Sequence, residues 1–350
     1  MRHAAVCLAV FAAVAAHAQT LPVFRFDASG SFTLMQLSDI QDNDQPKPRV
    51  AAFIDQAVKR CRPQLIVLTG DNTDCCSRKG AFEKSASAFV DIFKVQHTPF
   101  AVAFGNHDSE KKGDGFYTRD EQYALYKQLG GDCFVDYDVP ALSGTGSGVI
   151  PIRAASGDAV RFNVFLMDSG DYVKGGYDGI RIDQIQWYES VSGKTPCLWF
   201  QHIPVPDFFD TGLLVAVPTN TPNCYFHTKG EYAGKGYLLD ATRAAGLLRE
   251  VPSPTRRVAY TNAAHTYQGR TLYASWLKTG NLAGAYFGHD HPNTFDGTDA
   301  NGIRLGYTKA ATLCSYNDNN PGCRVFTLKA DGTYTTQIVT ESDLKNAASK

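Results

Sequence analysis

Five apolar runs, each ending abruptly in a short polar motif, dominate the hydropathy pattern of this chain. They are Phe32-Thr33-Leu34-Met35-Gln36-Leu37, Leu65-Ile66-Val67-Leu68, Phe100-Ala101-Val102-Ala103-Phe104, Cys197-Leu198-Trp199-Phe200 and Gly284-Ala285-Tyr286-Phe287. Short apolar runs bounded by turn residues predict strands. Between the first two, Val50, Phe53, Ile54 and Val58 recur at helical spacing and predict a helix over residues 49–62. Further helices are expected over residues 81–93, 120–129, 183–191, 237–250 and 271–278, the last stopped by Gly280. Additional strands are expected over residues 132–137, 148–153 and 160–167. The alternating tail from Gly302 turns at Asp331-Gly332, a hairpin signal. The stretch 206–236, rich in Gly, Pro, Asn and Tyr, reads as a loop over the site. Strands alternating with helices early and meandering late predict an α/β protein: two mixed sheets packed together, with helices outside.

Composition bounds the picture without naming a function. The chain has 350 residues, 43% hydrophobic and 20% charged, which suits one large globular domain over residues 19–350. A formal net charge of -1 gives no bulk attraction for nucleic acid or anionic membrane, so stable nucleic-acid binding is not expected. At the N-terminus, Arg2 and His3 precede an apolar run from Ala4 to Ala16 and a small-residue pattern, Ala16-His17-Ala18. That reads as a signal peptide over residues 1–18 and an exported, secreted or periplasmic protein with no span in the mature chain. Eight cysteines remain beyond Cys7, an even number that suggests disulfides in an exported protein. Cys314 and Cys323, flanking a turn-rich loop, are the expected pair; Cys75-Cys76 could instead bind metal, but no CxxC accompanies it and disulfides are the expectation there too.

The polar motifs carry the chemistry. They are Asp39-Ile40-Gln41, Gly70-Asp71-Asn72-Thr73-Asp74, Gly105-Asn106-His107-Asp108, Gln201-His202-Ile203-Pro204 and Gly288-His289-Asp290-His291. In open α/β sheets ligands bind beyond the carboxyl ends of strands, so five such ends can meet at one point. Hydrolysis of a phosphate ester needs neutralised oxygens, an activated nucleophile and a protonated leaving group, and two cations supply the first two. Asp71 suits a carboxylate shared by both. Asp39, Gln41 and His291 can complete one cation, and Asn106, His202 and His289 the other. His107, adjacent to Asn106, fits a general acid, with Asp74 the first choice to orient it and Asp108 the second. His97, His227 and His265 fit no motif and are expected at the surface or in loops.

This ordered set resembles the calcineurin-like metallophosphoesterases. The flanking segments Leu166-Met167-Asp168-Ser169-Gly170-Asp171-Tyr172, Phe200-Gln201-His202-Ile203-Pro204-Val205-Pro206 and Tyr286-Phe287-Gly288-His289-Asp290-His291 resemble its purple-acid-phosphatase-like branch. The resemblance implies a four-layer α/β/β/α sandwich, a dinuclear centre and in-line attack on phosphorus by a metal-bound hydroxide. Implied substrates are phosphorylated small molecules, nucleotides or phosphoproteins. The chain departs from the pattern at two places. Most relatives have His where Gln41 stands, so Gln41 either ligates through its amide oxygen or supports the site from behind. An oxygen ligand there favours Mn or Fe(II), with Zn possible, and resembles ADP-ribose/CDP-alcohol diphosphatases. A nucleotide diphosphatase or phosphodiesterase, or a catalytically weakened metal-binding homologue, is therefore the alternative. True purple acid phosphatases also place a ligating Tyr where Asp74 stands, so the metal-loaded protein is expected to be colourless.

Overall fold

The computed structural model describes residues 22–74, 79–110 and 115–348. The expected signal peptide and Cys75-Cys76 lie outside the described residues. Two mixed sheets form the centre. One has five strands in the order Tyr334–Thr340, Gly322–Lys329, Ser31–Leu37, Leu65–Thr69 and Phe100–Ala103. The other has eight: Phe24–Arg25, Gly148–Arg153, Val160–Leu166, Cys197–Phe200, Leu282–Phe287, Arg304–Tyr307, Asp296–Thr298 and Ala244–Ala245.

Side-chain alternation turns these sheets into the inner layers. Leu198 and Phe200 face the core shared with the first sheet, where Phe200 meets Phe326 edge-on at 5.3 Å between ring centroids. Cys197 and Trp199, one residue out of phase, join a second core with Trp187, Tyr188, Leu272 and Trp276. Strands buried on both faces read as continuous apolar runs, which is why the five runs stand out in the sequence. The helices Pro48–Cys61, Ala81–Val95 and Arg119–Gly130 cover the first sheet. Ile182–Val191 and Leu272–Thr279 cover the second, completing the α/β/β/α sandwich. Gly280, at φ 66°, closes Leu272–Thr279 in left-handed backbone as expected.

Several sequence expectations fail. Residues 132–137 are not a strand: Gly131–Cys133 is a 3-10 turn, and Phe134 makes only an isolated bridge to Phe100. Residues 237–250 are not a helix. Gly236–Leu239 is a strand, the Asp240 carboxylate binds the Thr242 amide at 2.9 Å, and Gly246 sits at φ 98°. The segment 206–236 is no bare loop; Leu214–Val217, Gly236–Leu239 and Tyr225–Phe226 form a small antiparallel sheet. The expected Cys314–Cys323 disulfide is absent and both thiols are free. Cys323 points into the core towards the Val339 carbonyl at 3.7 Å, while Cys314 turns outward to Asp42 Oδ1 at 3.2 Å. No described helix is long and apolar enough to cross a membrane.

Candidate metal centre

Parallel pairing aims the polar motifs at one place. Ser31–Leu37, Leu65–Thr69 and Phe100–Ala103 run parallel, as do Cys197–Phe200 and Leu282–Phe287. Their carboxyl ends carry Asp39, Asp71, Asn106, His202 and His289. The strand-end loops then lace together: Asp39 N–H donates to the Gly70 carbonyl and Gln41 N–H to the Asp71 carbonyl, each at 3.0 Å. Asp108 accepts the amides of Asp71 and Gly105, both at 2.7 Å, and of Asn72 at 3.1 Å. Asp108 is thus a clamp between two ligand-bearing loops, not a partner for His107. Arg119 fastens the same region from outside, pairing with Asp168 and donating to the carbonyls of Gly105 at 2.7 Å and Gly170 at 3.0 Å.

Such convergence strains the backbone. Asp39, Gln41, Asp71 and His289 have φ of 52°, 42°, 49° and 74°, the left-handed region that side chains other than Gly avoid. Each such residue costs on the order of 1–3 kcal/mol and persists only where its surroundings over-determine it. Gly105 is required by close approach, because a Cβ there would lie 2.3 Å from Asp71 Oδ1 and 2.7 Å from the His202 ring.

Asp71, His202 and His289 present ligand atoms that all lie within 4.8 Å of one another, every one of them buried. His202 Nε2 stands 3.0 Å from Asp71 Oδ2 and 3.9 Å from Asp39 Oδ1, and His291 Nε2 is 3.3 Å from Asp39 Oδ1. Ring orientation is set from behind. His202 Nδ1 meets the Thr69 carbonyl at 3.0 Å and His291 Nδ1 the Tyr316 carbonyl at 2.7 Å. A carbonyl only accepts, so both Nδ1 atoms carry hydrogen and both Nε2 atoms turn inward, the arrangement typical of metal-ligating histidine. Two further oxygens complete the test of fit: Asn106 Oδ1 and Gln41 Oε1 are buried with no hydrogen-bond partner. Buried carbonyl oxygens of this kind cost about 1–3 kcal/mol unless something answers them. A hard cation beside imidazole and carboxylate would do so, and the donor set fits divalent metal.

Electrostatics show the same coupling. Burial disfavours the charged forms of Asp71 and Asp39, but the surrounding histidines together outweigh it, His202 with His107 and His289 at Asp71 and His202 with His291 at Asp39, and hold both carboxyls below their ordinary range. Burial also opposes the His202 imidazolium, yet Asp71 and Asp39 push it up to about 9. Burial and then His202 drive His289 down to about 3. A histidine raised from about 6.5 to about 9 stabilises the fold below pH 6.5, and that stability is lost as pH climbs through 9. Burial, with Asp71 and Glu250 respectively, raises Asp108 to about 7 and Asp290 to about 8, which acts in the same direction. Chelator-treated protein should therefore lose on the order of 1–3 kcal/mol between pH 6.5 and 9. Metal-loaded protein should lose less, because bound cations require unprotonated rings. Denaturant titration at the two pH values checks this; greater stability of the stripped protein at pH 9 would refute it.

His107, expected as the general acid, is not part of the buried cluster of Asp71, His202 and His289. Its side chain is 36% exposed and its Nε2 lies 4.0 Å from Asp71 Oδ2, while its amide donates to Asp71 Oδ1 at 2.8 Å. The orienting group differs from expectation. Glu110 Oε1, not Asp74 or Asp108, stands 2.8 Å from His107 Nδ1. Asp74 is held through its amide on the Asp42 carbonyl at 2.9 Å. The signal for Glu110 was its i+3 spacing from His107 along the short 3-10 helix His107–Ser109. Sequence reasoning also passed over three tyrosines: Tyr172 bonded to Asn106, Tyr177 edge-on to His289 at 4.3 Å, and Tyr316 stacked on His291 at 4.1 Å. Of the three histidines set aside, His97 is exposed and His227 reaches the Pro252 carbonyl at 3.4 Å. His265 is instead buried, 2.8 Å from Asp178 Oδ1.

Fold and site together define a calcineurin-like phosphoesterase architecture. The chain belongs to the calcineurin-like phosphoesterase family, whose pattern it matches over residues 32–293. It is distantly similar to two Arabidopsis thaliana proteins. With probable inactive purple acid phosphatase 29 it shares 24% identity over 326 residues, 81% of this chain and 72% of that one. With probable inactive purple acid phosphatase 14 it shares 22% over 352 residues, 87% and 77% of the two chains. Among solved structures it is similar to GAP50, the anchor in the inner membrane complex of Plasmodium. There the TM-score is 0.46 at 11% identity, covering 89% of this chain and 84% of that one.

Proposed function

We propose that this protein hydrolyses phosphate esters at a centre of two divalent cations. Asp39, Gln41 and His291 would hold one, Asn106, His202 and His289 the other, with Asp71 shared. The observation that carries the reading is the buried cluster of Asp71, His202 and His289, with the unanswered oxygens of Asn106 and Gln41 buried alongside it. Bound there, the cations supply positive charge for phosphoryl oxygens and acidify water. The chain's own contribution to leaving-group departure would be His107, whose Nδ1 lies 2.8 Å from Glu110 Oε1 and whose Nε2 would deliver the proton. Manganese or iron suits the oxygen-rich first position better than zinc. Export of the protein, expected from its leader, remains part of the proposal.

The test is a substrate panel. Chelator-stripped protein, restored separately with Mn, Fe, Zn or Mg, is assayed on p-nitrophenyl phosphate, its bis-ester and ADP-ribose. Hydrolysis that depends on the added ion supports the reading. Two equivalents bound with no hydrolysis of any ester would make the protein a metal-binding homologue, a possibility that the relatives' names raise.

A second reading, for nucleotide substrates, draws on a cavity of ≈350 Å³ beside His291, walled by Tyr225, Phe226, His227, Arg249, Glu250 and Tyr316. Phe226 and Tyr316 are 48% and 52% exposed, an unusual outlay of aromatic surface beside a charged centre. A planar base could stack there, each contact being worth roughly 1–3 kcal/mol. Phe226→Ala should then raise KM for ADP-ribose about 5- to 100-fold while sparing glycerol phosphate. Equal effects on both substrates would remove the nucleotide reading.

A further inference from the structure

We propose that Tyr172 is a positioning residue whose single hydroxyl sets both the cation-facing oxygen of Asn106 and the carboxylate that orients His107. The inference rests on the phosphoesterase reading of the same site. The Asn106 amide nitrogen donates to the Tyr172 hydroxyl at 2.8 Å, and that hydroxyl donates to Glu110 Oε1 at 2.8 Å. The same Glu110 oxygen lies 2.8 Å from His107 Nδ1.

The direction of this chain follows from donor and acceptor inventory. A phenol has one proton and accepts through its lone pairs, while an ionised carboxylate only accepts. The Tyr172 proton therefore goes to Glu110, and a Tyr172 lone pair takes an Asn106 N–H. An Asn side chain can otherwise be turned end for end at little cost. Here the phenol decides the matter: Nδ2 faces Tyr172 and Oδ1 faces away, into the buried position where it has no hydrogen-bond partner. One Glu110 oxygen, meanwhile, collects Tyr172 and His107 together, so the ligand and the acid are referred to a common point.

The phenol can fix its neighbours only if it is itself fixed. Tyr172 opens a two-stranded hairpin, Tyr172–Val173 with Gly176–Tyr177, in which Tyr172 pairs with Tyr177. The hairpin is pinned on its far side: Arg256 N–H donates to the Tyr177 carbonyl at 3.0 Å, and its guanidinium reaches the Lys174 carbonyl. Below it, Asp178 N–H donates to the Asp171 carbonyl at 2.9 Å, and the Asp178 carboxylate meets buried His265 at 2.8 Å. His265 Nδ1 continues to Asn262 Oδ1 at 2.9 Å, so a histidine that the sequence left unassigned serves as the hairpin's anchor. The Tyr172 ring is 47% exposed, so its burial adds little to folding and its hydroxyl contacts are what distinguish it.

Tyr172→Phe keeps the ring beside Tyr177 and deletes one oxygen. Chelator-stripped variant and parent should melt alike. Titrated calorimetrically with Mn, the variant should lose about 10–100-fold in affinity for one of two equivalents, the usual cost of removing a group behind a ligand. Glu110→Gln should leave both affinities unchanged. Both variants should lose more turnover on glycerol phosphate than on p-nitrophenyl phosphate, since only the poorer leaving group needs the proton from His107. A Mn titration of Tyr172→Phe that superposes on the parent overturns the proposal, however active the parent proves. A parent that binds Mn without hydrolysing any ester would instead remove the phosphoesterase reading, while a weakened Tyr172→Phe titration would still stand.

Discussion

Asp71→Asn is expected to reduce the bound divalent cations from two to at most one and to lower turnover by more than the roughly 10–100-fold cost of disturbing a group behind a ligand. The substitution conserves shape and removes charge from the carboxylate proposed to be shared by the two cations. Asp71 Oδ2 is 3.0 Å from His202 Nε2 and 3.5 Å from Gln41 Nε2, while Oδ1 takes the His107 amide at 2.8 Å. An asparagine can keep the last contact only by turning its NH2 towards His202 Nε2 and Gln41 Nε2, which leaves no anionic oxygen for a cation there. The stripped variant gives an independent readout. Without Asp71, the largest influence raising His202 is gone, and its pKa should fall from about 9. The loss of stability between pH 6.5 and 9 expected of stripped parent should accordingly shrink. Metal analysis and calorimetry check the stoichiometry; a variant that retains two equivalents would show that Asp71 is not the shared ligand.

How far the sequence could reach depended on the range of the interaction being read. The five strand ends were legible because strands covered on both faces leave unbroken apolar runs, and Leu65–Thr69 and Cys197–Phe200 are buried throughout. Ligand identities were legible for the same reason, since each follows its strand within a few residues. The segment 237–250 misled because its Leu, Ala, Arg and Glu residues individually favour helices. What overrides a helix there is tertiary: Gly236–Leu239 pairs with Leu214–Val217, and Ala244–Ala245 pairs with Asp296–Thr298. Cysteine pairing failed likewise, because the alternation of Gly322–Lys329 turns Cys323 into the core, away from Cys314. The left-handed backbone at Asp39, Gln41, Asp71 and His289 has no local signature of comparable strength; it arises only when five loops compete for one volume. Tyr172 reaches Asn106 across 66 positions of sequence, so no spacing rule could have joined them.

His107→Ala is expected to lower kcat for glycerol phosphate by about 10²–10⁴-fold while leaving both cations bound, the range general acid catalysis usually supplies. The argument begins with where the ring is not. Its Nε2 lies 4.0 Å from Asp71 Oδ2, its side chain is the partly exposed one among the site histidines, and Glu110 Oε1 rather than a backbone carbonyl is the group 2.8 Å from its Nδ1. A carbonyl behind the ring, as at His202 and His291, favours the neutral tautomer that a metal requires. At His107 the group behind the ring is a carboxylate instead, and the ring stands outside the cluster of Asp71, His202 and His289. The effect should therefore scale with the leaving group. Phenolate from p-nitrophenyl phosphate departs with little help, and its hydrolysis should fall several-fold at most, whereas an alkoxide needs the full proton. Equal losses on the two esters would deny His107 the role of acid, and loss of a bound cation on substitution would make it a ligand instead.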